Sequence, residues 1–234
     1  MTRVDLQAAL PDRRRARWPW VLVVVTTLLA VGAAAVYLST RTSEYEATAN
    51  VLVSPVGTED LAFQGLPLIR ESSDGARPVQ TGVGLLSGPQ VARLTASRLG
   101  SGATVKEVEG EVAVLPRGES NIVAITATTD SADEAARVAT VYAKAALKLR
   151  ALALRPAVRR EIAIGGDSER VARLRLIERT GDPTLSLAAA AERPSGSSDL
   201  SAKMVLALAL VIGLLVGLGL VVLVNVARGP EPRL

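Results

Sequence analysis

The chain of 234 residues carries 27 basic and 23 acidic side chains, is 49% hydrophobic but only 3% aromatic, and has neither cysteine nor histidine. Without those two residue types it has no structural disulfide, no thiolate zinc site, no Cys–His or Ser–His pair, and not the commonest general base. The net charge of +4 does not mark a nucleic-acid binder, because residues 1–17 hold a net +3 and residues 39–202 a net −1, which places the excess beside apolar blocks rather than on a binding face.

The first block begins at once. Trp18 to Leu38 runs 21 residues without a charge behind Arg13, Arg14, Arg15 and Arg17. As a helix it covers about 31 Å, the thickness of bilayer hydrocarbon. A cleaved signal peptide is the alternative, with Ala33-Ala34-Ala35 as the cleavage site. The full spanning length, Trp18 and Trp20 at one end and Tyr37 at the other favour a retained transmembrane helix, since such aromatics sit in interfacial belts. The arginines then hold segment 1–17 in the cytoplasm, and residues 39–202 face outward.

The outward segment opens with YEATANVLVSPV, residues 45–56. Tyr45, Ala47, Ala49, Val51 and Val53 alternate with mostly polar neighbours, which predicts a strand ended by Pro55. Residues 57–82 show no sustained period and read as a loop. SGPQVARLTASRLG, residues 87–100, predicts a short amphipathic helix with a Ser87–Gln90 capping box, Val91, Leu94, Thr95 and Leu99 near one face, and a stop at Gly100. Residues 103–115 read as a strand or strand entry, with Val112 and Val114 on one face. PRGES, residues 116–120, reads as a turn, and NIVAITATT, residues 121–129, as a second strand.

Ser131 with Glu134 has capping-box spacing and opens a long helix of about 23 residues, with Ala136, Ala139, Tyr142 or Ala143, Ala146 and Leu149 on its apolar face. Arg155-Pro156 is expected to end or kink it, with a separate helical patch over 158–164. Gly165-Gly166 breaks the chain, a further helix runs from Asp167 to Arg179, and Gly181-Asp182-Pro183 closes it. PTLSLAAAAERP is expected as a final strand or extended run. From Arg137 to Arg179 eleven basic residues face four acidic ones. That arm either greets an anionic polymer, lipid or acidic partner, or is a solvated surface offset by acids in the strands; the second is the simpler expectation.

Met204 to Val224 is again 21 residues without a charge, so 203–227 is expected as a second transmembrane helix. Residues 228–234 with Arg228 then form a cytoplasmic tail, leaving both termini inside. Gly213 and Gly217 form a G-x-x-x-G, and Ala30 and Ala34 a weaker counterpart in the first block. Such spacing lets helices approach closely, although glycine is also simply common in membrane helices. No catalytic residue, cofactor site or metal site is expected: no phosphate-loop or kinase signature occurs, and the carboxylates are scattered.

YEATANVLVSPV, LLSGPQVARLTASRLG, NIVAITATTDSADEAARVATVYAKA and AAAERPSGSSD together resemble the chain-length determinant, Wzz-like family of bacterial polysaccharide co-polymerases. The resemblance implies an α+β fold, with two transmembrane helices flanking a small sheet-and-helix extracytoplasmic domain that carries a helical arm at about 131–180. It implies a multi-pass protein of the bacterial plasma membrane, in contact with lipid and working as a homo-oligomeric ring. It further implies control of the length or export of a surface, capsular or exopolysaccharide beside a polymerase or export machinery, and sometimes beside a separate tyrosine kinase. The arm here is shorter than the family's usual helical hairpin, and RGPEPRL is too short for a kinase-activating segment. The expectation is a non-enzymatic scaffold that binds no nucleic acid. The alternatives are a membrane sensor or adaptor that modulates a cytoplasmic tyrosine kinase through MTRVDLQAALPD, and an envelope enzyme with an Asp/Glu site.

Overall fold

In the computed structural model the described residues are 18–100, 102–198 and 201–227. They belong to two compact units, one holding residues 1–42 and 200–234, the other residues 43–199.

The first unit contains two helices, α1 (Trp18–Thr40) and α7 (Ala202–Ala227). Both are long and apolar enough to cross a membrane, and large side chains such as Leu28, Leu29, Leu215 and Leu223 point outward. α1 passes the last apolar residue because the Ser39 and Thr40 hydroxyls donate back to the Val36 carbonyl, and Arg41 N–H to that of Tyr37. The last of these satisfies a carbonyl that the helix end would otherwise leave open.

The second unit is built on a four-stranded antiparallel sheet of order β2-β3-β1-β4. β1 (Tyr45–Val53) and β3 (Ile122–Thr129) form its centre, with β2 (Val112–Pro116) and β4 (Leu185–Ala189) at the edges. The period-2 reading of 45–53 and 121–129 is what the strands show. Ala47, Ala49, Val51 and Val53 are buried, as are Val123, Ile125 and Ala127, while the alternate residues are not. The buried face is covered by helices, and the other face is not. With two apolar helices at the ends of the chain, the architecture is the mixed α and β class expected.

The covering layer differs from expectation in four places. Residues 57–82 are structured, not a loop: Leu61–Phe63 is a 3-10 turn, Val56 and Arg70 form a parallel bridge, and α2 (Ala76–Leu86) begins inside the stretch. Glycines disguise α2, and one is closely packed: a Cβ at Gly82 would lie 3.0 Å from Val53 Cγ2. Ser87 does not cap the next helix. It closes α2 by donating to the Val83 carbonyl, and Gly88 at φ 128° turns the chain into α3 (Pro89–Leu99). Residues 105–111 are helical, not extended. The capping box is here: the Glu107 N–H donates to Thr104 Oγ1 at 3.2 Å and the Thr104 N–H to Glu107 Oε2 at 2.8 Å, starting α4 (Val105–Glu111), which Val108 anchors.

The fourth difference is α5, which runs Ala132–Ile164, 33 residues and about 50 Å, straight through Pro156. An interior proline costs about 3 kcal/mol. Leu154 and Val158 flank it and are almost fully buried against Leu174 and Ile177 of α6 (Ser168–Thr180), so tertiary packing outweighs the lost hydrogen bond. The patch at 158–164 is therefore the end of the same helix. Ser131 stands at the N-terminus but makes no side-chain cap: Thr129 Oγ1 donates to the Ser131 carbonyl, and Glu134 turns to Arg137 at 3.5 Å. On α5 the core face is centred on Ala135, Val138, Ala139, Tyr142, Ala143 and Ala146, with Ala136 and Leu149 half-buried at its edge.

Candidate functional site

Two built features stand out, one in each unit. In the first unit α7 lies against α1 at its glycines. A Cβ at Gly213 would come within 2.8 Å of Thr27 Cα and 2.9 Å of Ala30 Cβ, and one at Gly217 within 2.5 Å of Thr26 Oγ1 and 2.9 Å of Val23 Cα. Small residues let backbones approach in this way where no hydrophobic force separates helix from lipid. Thr26 Oγ1 lies 3.0 Å from the carbonyls of Leu22 and Val23 and 3.4 Å from that of Gly213, and Thr27 donates to the Val23 carbonyl at 2.8 Å. Neither hydroxyl is left unsatisfied. Of the residues singled out in the sequence, Gly213, Gly217 and Ala30 meet here, and Ala34 is half-buried one turn beyond Ala30. Val23, Thr26 and Thr27 were missed; their signal was two hydroxyls inside an apolar block. Arg13, Arg14, Arg15, Arg17 and Arg228 lie outside the described residues.

In the second unit the distal half of α5, α6 and residues 56–68 enclose a second core of Leu66, Leu68, Leu154, Val158, Leu174 and Ile177. Two arginines fasten the strap formed by residues 57–70 to the helices. Arg150 is 9% exposed; its Nε meets Asp182 Oδ2 at 2.6 Å, and its Nη2 donates to the Pro67 carbonyl. Arg170 donates to Glu161 Oε2 at 2.7 Å and to the Gln64 carbonyl at 3.2 Å. Gly65, at φ 83°, lets the strap pass the Glu161 carboxylate, which stands 2.5 Å from where a Cβ would be.

Among the described residues no strand carboxylate forms an ion pair with the arm. Its partners are on its own helices and in the turns beside them: Glu134, Glu161, Glu169, Glu178 and Asp182. Lys144, Lys148, Arg155, Arg160, Arg175 and Arg179 are exposed and make no ion pair among the described residues.

On the uncovered sheet face a cavity of about 740 Å3 is lined by Thr48, Asn50, Arg117, Thr126, Glu192 and Arg193, among others. Thr48 and Thr126 share a hydrogen bond of 2.9 Å, and Arg117 reaches Asn50 Oδ1 at 3.3 Å. It offers hydrogen bonds and both signs of charge. Among the described residues no group of three or more Asp and Glu gathers as a cation site.

Two carboxyls beside α4 are displaced in opposite directions. The Thr104 backbone N–H, then its hydroxyl, holds Glu107 below the usual carboxylate range. Burial, then repulsion from Glu134, Glu107 and Asp130, raises Glu111. A carboxyl raised in the folded state binds protons more tightly there, so its penalty is absent at acid pH and appears as pH rises through the folded value. Glu111→Gln is therefore expected to raise Tm slightly at pH 7 and to leave it unchanged below the carboxylate range. A thermal scan of both proteins at the two pH values checks this; an equal gain at acid pH would remove the cause.

No family model matches the chain, and no curated protein matches it. Forty-four chains of solved structures are similar in fold. One is a full-length bacterial polysaccharide co-polymerase, 12% identical, which superposes with a TM-score of 0.50 over 96% of this chain and 100% of that one. The chain therefore has the fold of that co-polymerase: a small antiparallel sheet with its helices, between two apolar end helices.

Proposed function

We propose that this chain is a non-enzymatic scaffold of the bacterial plasma membrane that regulates the chain length or export of a surface or secreted polysaccharide. The observation that carries the proposal is the fold shared with a full-length polysaccharide co-polymerase over nearly the whole of both chains. In this reading α1 and α7 cross the bilayer and both termini are cytoplasmic. The unit of residues 43–199 is extracytoplasmic, and copies associate side by side next to the polymerase. The pairing of α1 with α7 through Gly213 and Gly217 supports it, because a unit tethered by two packed helices loses tilt and rotation. Copies sharing a plane then meet at raised effective concentration. Arg13, Arg14, Arg15, Arg17 and Arg228 are the residues that set the topology.

Deleting the gene and sizing the surface and secreted polysaccharide tests the function: the length distribution or the yield is expected to change. Crosslinking in intact membranes tests the assembly, with a ladder of homo-oligomers as the expected result. An unchanged polymer together with a monomer band would end this reading.

A further inference from the structure

Five of the arm's six exposed cations without an ion pair among the described residues line up, together with Arg159, while Arg160 lies about 100° round the helix from that line. On α5, Lys144, Lys148, Arg155 and Arg159 fall within about 60° of one another at 100° per residue, a stripe about 22 Å long. The stripe continues onto α6. Arg159 Nε meets Glu178 Oε1 at 2.7 Å; Arg175, three residues before Glu178, is on the same side of α6, and Arg179 follows Arg175 at four residues' spacing. Six cations thus share one exposed face, and among the described residues the one carboxylate paired within it is Glu178, taken by Arg159.

We infer that this face, made of Lys144, Lys148, Arg155, Arg159, Arg175 and Arg179, binds a linear polyanionic glycan. Side-chain chemistry selects the class. The aromatic residues of this unit are Tyr45, Phe63 and Tyr142, and none is exposed. The face therefore has no ring on which neutral sugars or bases could stack, and charge is its means of recognition. A row of cations one to two turns apart matches a chain that repeats its carboxylates, and guanidinium groups bind carboxylates with paired hydrogen bonds. A membrane surface fits less well. Helices that dock on lipid bury a continuous apolar face in it, whereas the buried apolar residues of α5 and α6 are covered by the sheet, the strap and each other, and the exposed ones, Leu152, Ile164 and Leu176, stand singly rather than as a stripe. The inference deepens the scaffold reading by assigning a charge to its polymer, and it rests on that reading for the presence of a glycan.

The test uses the full chain in nanodiscs of phosphatidylcholine, titrated with polygalacturonate and, separately, with dextran. Binding is expected for polygalacturonate alone, weakening at least tenfold between about 50 and about 300 mM salt, as charge-driven association does. The variant Lys148→Glu, Arg155→Glu, Arg179→Glu is expected to lose binding about tenfold or more. A control with the same change in net charge, Arg93→Glu, Arg98→Glu, Lys106→Glu, at exposed sites elsewhere, is expected to keep it. Glutamine at the same three arm positions, with Tm unchanged, guards against misfolding. The inference falls if polygalacturonate does not bind, if dextran binds equally, or if the two triple variants lose binding alike. It also falls if nanodiscs with anionic lipid capture the arm in a patch-dependent way while the polymer does not bind. Polygalacturonate binding with an unchanged polysaccharide after gene deletion would sink the scaffold reading and leave the binding face. The reverse outcome would sink the face alone.

Discussion

Replacing Asp182 with alanine is expected to destabilise the unit of residues 43–199 by about 3–5 kcal/mol, the usual consequence of leaving a buried charge without its partner. The Asp182 side chain is 2% exposed and that of Arg150 is 9% exposed. The carboxylate accepts from Arg150 Nε at 2.6 Å, from the Thr184 N–H at 2.8 Å and from Thr184 Oγ1 at 2.6 Å. The guanidinium continues to the Pro67 carbonyl. One removal therefore strands a cation, a hydroxyl and the attachment of the strap. For a unit of this size the loss corresponds to a fall in Tm of roughly 10 °C. Proteolysis near residues 57–70 is expected to rise with it, as the strap loses one of its two arginine fastenings. The paired change Arg150→Met with Asp182→Leu is expected to recover part of the loss, because two buried charges leave together. Thermal unfolding of the three proteins in the same detergent checks this. A loss below about 1 kcal/mol for Asp182→Ala would mean that the pair is solvated and carries no such role.

Gly217→Leu is expected to separate the helix pair. Even a Cβ there meets Thr26 Oγ1 at 2.5 Å and Val23 Cα at 2.9 Å, and backbone does not yield as a flexible side chain would. Overpacking of this kind costs about 1–3 kcal/mol. Gly219 lies two residues on with nothing within 4 Å of its Cβ position, so Gly219→Leu is the matched control and is expected to be silent. The chain has no cysteine, which makes labelling clean: spin labels on cysteines at the exposed positions Val36 and Leu208 report the spacing between the helices. A longer, broader distance distribution for Gly217→Leu, with Gly219→Leu unchanged, is the expected result. Identical distributions for all three proteins would show that the glycine does not hold the contact.

Much of the sheet was legible because burial on one face imposes a period of two, and Tyr45–Val53 and Ile122–Thr129 obey it. Ser87 and Ser131 have the spacing of a capping box, but the box forms at Thr104. The spacing occurs at all three, and only the surrounding chain decides which hydroxyl is free to cap. The Ser87 hydroxyl is held by α2, and at Ser131 the backbone N–H that the box would use donates to Thr129 Oγ1 instead. The arginines of the strap were invisible for a different reason: Arg150 and Asp182 are 32 residues apart, and Arg170 and Gln64 are 106 apart.

By itself the order of residues determined the two apolar end helices, the central strands, and a basic arm in a chain without cysteine or histidine. These are properties of composition and period, and they act over a few neighbouring residues. The tertiary structure alone decided that α5 runs through Pro156, that residues 57–70 strap the arm, and that Gly217 rather than Gly219 faces α1. Each of these depends on which distant surface a segment buries against. A local preference of about 3 kcal/mol is overruled when the packing gained across the chain exceeds it.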